Sequence, residues 1–437
     1  MASTWAFRFL LWYLCILCVQ PQNRFLFLHP LQIADLCIMG AVGLHFVSAT
    51  QEGKPFLRMG PATVTALLLM FFSFLSLHTG EFMASSRWNS DIDIIFKNCF
   101  VLILIEAMAW NVQRVWAVQA TFLFATTWWI KGGLRLASAG ATYSGDRIMG
   151  PAVSLIENPN GFAYLLTVMI PTYLYFFQKA HNKYVRWACL GLALSATYIV
   201  LQTGSRTGLL ALVAVGIFLV PKYGAQYKRA LIIGAVAFTL FFPLVGASNI
   251  ERFKTIPNSI KSFLGGVDED VDFNSMNQDQ QSAWERKMKN LHTWRLILEY
   301  PILGVGIQSN DDILYEKVGD HLPYASGQVH NEILYAGKQM GFVGMGLYVS
   351  FMTILFTRGR RVQKLAKTWW PEVSDLGWTL KMQAIVFMVG GFFSPIPWNP
   401  IYLTLVGAAS ALWLHLQELQ HQHPHAVHAP PAPRLAA

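Results

Sequence analysis

The sequence predicts an all-α, polytopic integral membrane protein. Hydrophobic residues make up 54% of its 437 residues and charged residues only 13%, whereas a soluble chain carries about a quarter charged residues. Apolar runs of roughly 20 residues recur along the chain, which is the length an α-helix needs to cross about 30 Å of hydrocarbon. The runs are continuous and do not alternate as barrel strands do, so we predict a helical bundle.

We predict about twelve transmembrane helices. The spans fall at 6–20, 31–49, 62–78, 94–111, 114–131, 160–178, 186–203, 207–221, 230–248, 331–356, 377–394 and 396–416. Residues 1–249 then hold the first nine spans, 250–330 form a polar helical segment, and 331–416 hold the last three. Residues 417–437 are a low-complexity tail rich in His, Pro and Ala, for which we predict disorder.

Basic residues predict the orientation of the spans. Lysines and arginines cluster in the short loops after the second, sixth, eighth and tenth spans, and such clusters stay on the cytoplasmic side. Both termini are then cytoplasmic, and residues 250–330 face outward, which in a bacterium means the periplasm. The net charge of +9 is explained by these loops, and we predict no nucleic-acid partner.

No metal site and no disulfide framework are predicted. All cysteines fall in apolar segments, where thiols behave as small hydrophobes. Asp91 and Asp93 form a D-x-D pair, but a pair this short is a weak signal. The acidic run 268–272 lacks the spacing of a calcium-binding loop.

Glu106 and Lys338 lie within predicted spans. Ionisable residues inside a membrane are candidates for a functional role, although Lys338 also fits a pairing with a neighbouring helix. The sequence does not decide between these interpretations.

Two arginines belong to predicted outward loops. Arg206 lies in the motif Thr203–Gly208 at the start of the eighth span. It is either an interfacial arginine that extends toward water or an anion ligand, because the amides at a helix start carry partial positive charge. Arg147 lies in the loop that precedes the turn Asn158–Asn160.

A third arginine is predicted on an amphipathic helix over residues 282–299. Arg286 lies about 200° around the helix from Trp284, away from the apolar stripe, whereas Arg295 falls among the apolar positions. Either arginine suits a solvated face or a ligand site, and the pattern leaves both open. The apolar stripe consists of Trp284, Met288, Leu291 and Leu298.

His330 begins the tenth predicted span, next to Asn331. A histidine at an interface is commonly a simple polar boundary, but its ordinary pKa of about 6.5 suits a proton acceptor. A neighbour such as Asn331 would fix its tautomer. Arg147, Arg206 and Arg286 are predicted on the same face of the membrane as His330, and converging guanidinium groups suit bidentate phosphate binding.

In their order and spacing, these motifs resemble the O-antigen ligase and O-antigen polymerase superfamily of bacterial inner-membrane glycosyltransferases. The stretch from residue 131 to 160 is similar to the exosortase-associated O-glycosylation ligases of that superfamily. The motifs are Lys131–Gly133, Gly150–Pro151, Asn158–Asn160, Ser205–Arg206, Arg286 with Pro301–Gly306, and Val329–Asn331 with Gly341–Gly344.

The resemblance implies a GT-C-like fold with a periplasmic helical cap, a glycan donor linked to undecaprenyl pyrophosphate, and no metal or other cofactor. It implies that Arg147, Arg206 and Arg286 bind the pyrophosphate and that His330 accepts the proton of the acceptor hydroxyl. Arg295 is the alternative to Arg286 on the helix. Asn331 is a further candidate ligand of the substrate.

The acceptor distinguishes three activities that the resemblance allows. Transfer to a lipid A–core hydroxyl defines an O-antigen ligase of lipopolysaccharide biosynthesis, which we favour because the polar segment 250–330 is modest. Transfer to a second lipid-linked repeat defines a polymerase, and transfer to a protein hydroxyl defines an O-oligosaccharyltransferase. A lipid-linked sugar flippase is a different class, for which internal repeats and broken spans are typical.

Overall fold

The computed structural model describes residues 1–23, 25–79, 90–140, 147–151, 156, 158–223, 246–254, 256, 278–307, 329–393 and 397–422. Within these residues the secondary structure is helical and contains no β-strand. The prediction of an all-α protein is confirmed. The acidic run 268–272, most of the predicted ninth span and the end of the tail lie outside the described residues.

Thirteen α-helices and two short 3-10 helices, Pro21–Asn23 and Leu26–Leu31, occur in the described part of the chain. The α-helices are α1 (Ala2–Val19), α2 (Ile33–Glu52), α3 (Pro61–Thr79), α4 (Ser90–Met108), α5 (Val112–Ser138), α6 (Pro159–Lys179), α7 (Lys183–Gln202), α8 (Arg206–Tyr223), α9 (Ala247–Lys254), α10 (Gln278–Glu299), α11 (Glu332–Leu365), α12 (Pro371–Gly391) and α13 (Pro400–Gln422).

The helices form a multi-pass membrane bundle. The described segments that are both long and apolar enough to cross a membrane are Ala2–Asn23, Leu26–Glu52, Pro61–His78, Lys183–Gln202 and Glu332–Leu365. Helices α4, α5, α6, α12 and α13 have 19 to 27 residues, which is long enough to cross, but they lack a stretch of that length that is both strongly apolar and nearly free of charge. A multi-pass protein is thereby confirmed, while the number of twelve spans stays a prediction. The fifth span is longer than predicted, because α5 continues to Ser138.

Ion pairs gather several predicted cytoplasmic loops at one end of the bundle. Arg58, which follows α2, pairs with Glu418 near the end of α13. Lys179 and Lys222, near the ends of α6 and α8, both bind Asp375 at the start of α12, with N–O distances of 2.6 and 2.9 Å. The end of α11 contacts both groups, because Arg361 lies over the ring of Trp413 on α13 and the carbonyl of Gln363 accepts a hydrogen bond from Ser374 on α12 at 2.8 Å. The two groups of ion pairs therefore share one end. We call it the basic end.

Glu106 stabilises the start of α3. Its Oε2 accepts a hydrogen bond from the amide of Thr63 at 2.7 Å. Thr63 lies in the first turn of α3, where amides lack a partner within the helix and where negative charge is favoured. A buried carboxylate of α4 therefore caps α3.

Helix α11 is bent back on itself at Met340–Gly341. Both residues have non-helical backbone angles, and φ of Gly341 is +58°. The hydroxyl of Tyr348 donates a hydrogen bond to the carboxylate of Glu332, although a straight helix would separate these residues by about 24 Å. The predicted span over 331–356 therefore contains a break that the sequence analysis did not predict.

The turn at residues 300–307, which follows α10, fills this break. The amide of Val305 donates to the carbonyl of Lys338 at 2.9 Å, and the amide of Phe342 donates to the carbonyl of Pro301 at 2.7 Å. A broken helix leaves carbonyls and amides without partners, and buried backbone groups require them. The turn supplies these partners and fixes α10 to α11.

We call the contact between residues 300–307 and the break in α11 the junction. Two side chains from elsewhere in the bundle contribute to it. Ser76 of α3 donates to the carbonyls of Leu303 and Gln339 at 2.9 and 2.8 Å. The indole of Trp398 donates to Oε1 of Gln339 at 2.8 Å. The junction therefore joins α3, α10, α11 and the start of α13.

Gly304 allows the turn to approach α11 closely. Its φ is +64°, and a Cβ atom there would lie 2.5 Å from the carbonyl oxygen of Lys338. We predict that Gly304→Ala destabilises the protein by at least about 1–2 kcal/mol from the positive φ alone. Thermal unfolding of the purified protein in detergent measures this loss as a lower Tm.

Gly346→Ala is the matched control. Gly346 lies in the second half of α11, where a Cβ atom would meet no other atom within 4 Å, and alanine is favoured over glycine in a helix. This variant should melt at or slightly above the wild-type temperature. Equal Tm values for the two variants would contradict the role given to the junction.

Candidate active site

His330 lies directly before α11, where Asn331 forms the helix cap. Oδ1 of Asn331 accepts hydrogen bonds from the amides of Ile333 and Leu334 at 3.0 and 3.1 Å, as an N-cap residue does. The cap fixes the position at which His330 leaves the helix. The predicted contact of Asn331 with substrate stays a prediction, beside this observed structural role.

Helix α10 brings two cations to His330. The pKa of the half-buried imidazole falls from 6.5 to about 3, because burial disfavours the charged ring and because Arg286 and Lys289 repel it. His330 is therefore neutral at physiological pH, the state in which an imidazole accepts a proton. Lys289 was not predicted, although its spacing of three residues from Arg286 places both on one helix face.

Arg295 lies elsewhere on α10. Nine residues separate it from Arg286, which is half a rotation around the helix, and its side chain is exposed. The neighbouring Trp294 packs edge-on against Phe342, with ring centroids 5.9 Å apart. The structure thus places Arg286, and not Arg295, beside His330.

Arg147 lies against the turn that precedes Arg206. Nε of Arg147 donates to the carbonyl of Thr203 at 2.9 Å, and Nη2 donates to Oδ1 of Asn160 at 3.1 Å. Arg206 is the first residue of α8 and is half-buried. Arg147 therefore holds the turn that positions Arg206 at the start of its helix.

Asn249 supports the same turn and was not predicted. It is fully buried on α9, and its Nδ2 donates to the carbonyl of Gln202 at 3.2 Å. Gly204 in this turn has φ +59°. The sequence gives no clear signal for Asn249, because it directly follows the predicted ninth span.

Helix α6 connects the two positions. Asn160, the partner of Arg147, lies one helical turn before Tyr164. Tyr164 is in turn within interaction range of the carboxylate of Glu332, two residues after His330. All the candidate residues except Arg295 therefore gather near the start of α6. The other end of this helix carries Lys179 at the basic end, so the site lies at the opposite end of the bundle.

An apolar groove opens between α11 and the end of α12, close to Glu332. Val349 and Phe392 at this groove are exposed over 46% and 45% of their surface, so the groove faces the outside of the bundle. Tyr348, which donates a hydrogen bond to Glu332, is part of its wall. Its lining includes Ile333, Tyr348, Met352, Phe356, Met388 and Phe392.

Comparison with known proteins relates part of the chain to a described family. Residues 190–349 match the family model described as O-antigen ligase. We call these residues the ligase domain. Arg206, Arg286 and His330 lie within it, and Arg147 precedes it. The resemblance predicted from the motifs is confirmed.

A curated relative extends the similarity beyond the ligase domain. The teichuronic acid biosynthesis protein TuaE of Bacillus subtilis (strain 168) is 25% identical over 368 residues, which cover 78% of this chain and 71% of the relative. With the ligase domain and the membrane bundle, this shows a glycosyltransferase-type membrane enzyme that ligates or polymerises glycans.

The pair Asp91 and Asp93 lies apart from the ligase domain. Asp93 forms an ion pair with Lys97 at 2.8 Å. In the described ranges, no three His, Cys, Asp or Glu side chains are grouped as metal ligands. Independence from metal stays a prediction.

The low pKa of His330 gives a test of its role in the ligase domain. Protonation would disable a base, so kcat/KM for the donor should fall only as the pH drops toward the pKa of the free enzyme. We expect activity to persist well below pH 6.5. Lys289→Gln removes one repelling charge and should move the acidic limb of the profile to higher pH.

Lys287→Gln is the control, since it makes the same charge change two residues away on α10. It should leave the acidic limb in place. A wild-type limb near the ordinary histidine pKa of about 6.5, or a limb that Lys289→Gln does not move, would contradict the assignment.

Proposed function

We propose that the protein is an O-antigen ligase, which transfers a glycan from undecaprenyl pyrophosphate to a hydroxyl of lipid A–core. The observation that carries the proposal is the position of His330, directly before the cap of α11 and beside Arg286 of α10, within the ligase domain. A base and an anion-binding group side by side suit the two partners of a glycosyl transfer, the acceptor hydroxyl and the pyrophosphate.

The lipid-linked donor fits two features of the site. Arg147, Arg206 and Arg286 provide planar groups that bind phosphate oxygens in pairs. The apolar groove between α11 and α12 is lined by Tyr348, which donates a hydrogen bond to Glu332, two residues from His330. The groove provides a path for an isoprenoid chain from the surrounding lipid. A lipid with a diphosphate head group would place its charge at the arginines and its tail in the groove.

The reaction needs one proton transfer and one displacement. His330 takes the proton of the acceptor hydroxyl, and the hydroxyl oxygen attacks the anomeric carbon from the side opposite the pyrophosphate. The bond between that carbon and the phosphate oxygen breaks, its electrons leave with the pyrophosphate, and the configuration inverts. The arginines stabilise the growing negative charge, as a divalent ion does in other enzymes, so the scheme uses no metal or other cofactor.

The membrane orientation follows from the basic end. Lys179, Lys222 and Arg58 lie there, and the positive-inside rule assigns that end to the cytoplasm. The site at the opposite end then faces the periplasm of a bacterial inner membrane. Both chain termini belong to the cytoplasmic side in this arrangement.

A polymerase is the second candidate. The name of the relative TuaE assigns it to teichuronic acid biosynthesis, which favours a glycan acceptor over lipid A–core. Purified protein given lipid A–core, a second lipid-linked repeat or a protein acceptor separates the ligase, polymerase and O-oligosaccharyltransferase activities. A flippase would transfer glycan to none of them.

We predict that His330→Ala abolishes transfer. Loss of a general base lowers kcat by roughly 10²–10⁴-fold, while donor binding should change little because His330 is neutral. His421→Ala, at an exposed position near the end of α13, is the control. Transfer at the wild-type rate by purified His330→Ala would remove the base from the scheme.

We predict that Arg206→Ala and Arg286→Ala each weaken use of the donor. A charge-assisted hydrogen bond contributes about 1.5–3 kcal/mol, which corresponds to roughly 10- to 150-fold in kcat/KM. Arg360→Ala, exposed on the second half of α11, should have no effect. Near-normal donor kinetics of Arg206→Ala would show that this arginine is structural.

A further inference from the structure

Lys289 is a buried cation without a counter-charge among the described residues. Only 7% of its surface is exposed. None of the hydrogen bonds or ion pairs in the described part of the chain involves its side chain. Protein encloses nearly all of this side chain, and opposite charges attract more strongly there than in bulk water, so an anion beside the ammonium group would be favoured.

The direction of Lys289 is set by the face of α10 on which it lies. Thr293, one turn later, is fully buried, and Ile297 after it is fully buried as well. Ile297 packs against Gly337 in the first half of α11. Lys289 and Arg286 therefore face α11, and both charges reach His330.

Lys222 shows how this protein treats another largely buried lysine. Its Nζ binds a carboxylate oxygen of Asp375 at 2.9 Å, at the basic end. Lys289 has no such carboxylate among the described residues, and it lies at the end of the bundle where a pyrophosphate is proposed to bind. The pyrophosphate of the proposed donor would provide an anion for it at this end.

We propose that Lys289 is a further residue that binds the donor pyrophosphate. Its ammonium group donates to a non-bridging phosphate oxygen beside His330 and stabilises the charge that develops there when the glycosidic bond breaks. The identity of this anion rests on the proposed function. The burial of Lys289, its position and its lack of a partner among the described residues do not.

Binding of inorganic pyrophosphate to the full-length protein in detergent tests this role. Sulfate at equal ionic strength serves as the reference anion, and affinity is obtained from the rise in Tm with pyrophosphate concentration. For Lys289→Met we expect roughly 10-fold or weaker binding. Lys289→Arg should retain most of the affinity, and the matched control Lys287→Met should bind as the wild type does.

The unliganded Tm distinguishes binding from packing. Methionine has a similar shape without the charge, so Lys289→Met should melt at or above the wild-type temperature when no pyrophosphate is present. A lower unliganded Tm with unchanged pyrophosphate affinity would show a packing role and overturn the proposal.

Donor kinetics separate this proposal from the proposed function. If the wild type neither binds pyrophosphate nor transfers glycan from a lipid-linked diphosphate, the function itself is wrong. If the wild type transfers glycan and Lys289→Met has the same KM and kcat for the donor, only the assignment of Lys289 is wrong.

Discussion

The site depends on the junction between the turn at residues 300–307 and the break in α11. The break leaves backbone groups near Lys338 and Phe342 inside the protein, where each must find a partner. Val305 and Pro301 supply two of them. Since this turn directly follows α10, the same hydrogen bonds fix where that helix lies relative to His330. The active site is therefore held by backbone contacts from outside it.

The two ends of the bundle differ in the partners of their cationic side chains. At the basic end, Lys179 and Lys222 bind the carboxylate of Asp375. At the opposite end, Arg286 and Lys289 lie beside His330, and no described carboxylate binds Lys289. Charges interact more strongly away from bulk water. This end therefore favours an anion, and the neutral His330 beside it is able to accept a proton.

Local patterns in the sequence predicted much of this arrangement. Apolar runs predicted the helical bundle, and helical spacing with a Pro–Gly turn predicted that α10 carries Arg286 and ends near Tyr300. The sequence did not predict the break at Gly341, because residues 331–356 form one apolar run. Its cause is a set of contacts with a distant turn, which hydrophobic periodicity does not record. The choice between Arg286 and Arg295 and the part of Lys289 also depend on how α10 packs.

An experimental structure with an isoprenoid diphosphate bound would show where the donor lies. We expect diphosphate oxygens within hydrogen-bond distance of Arg206, Arg286 and Lys289, with the isoprenoid chain in the groove between α11 and α12 and His330 facing the phosphate. A diphosphate bound at the basic end, or one bound without contact to Arg286 and Lys289, would overturn this placement.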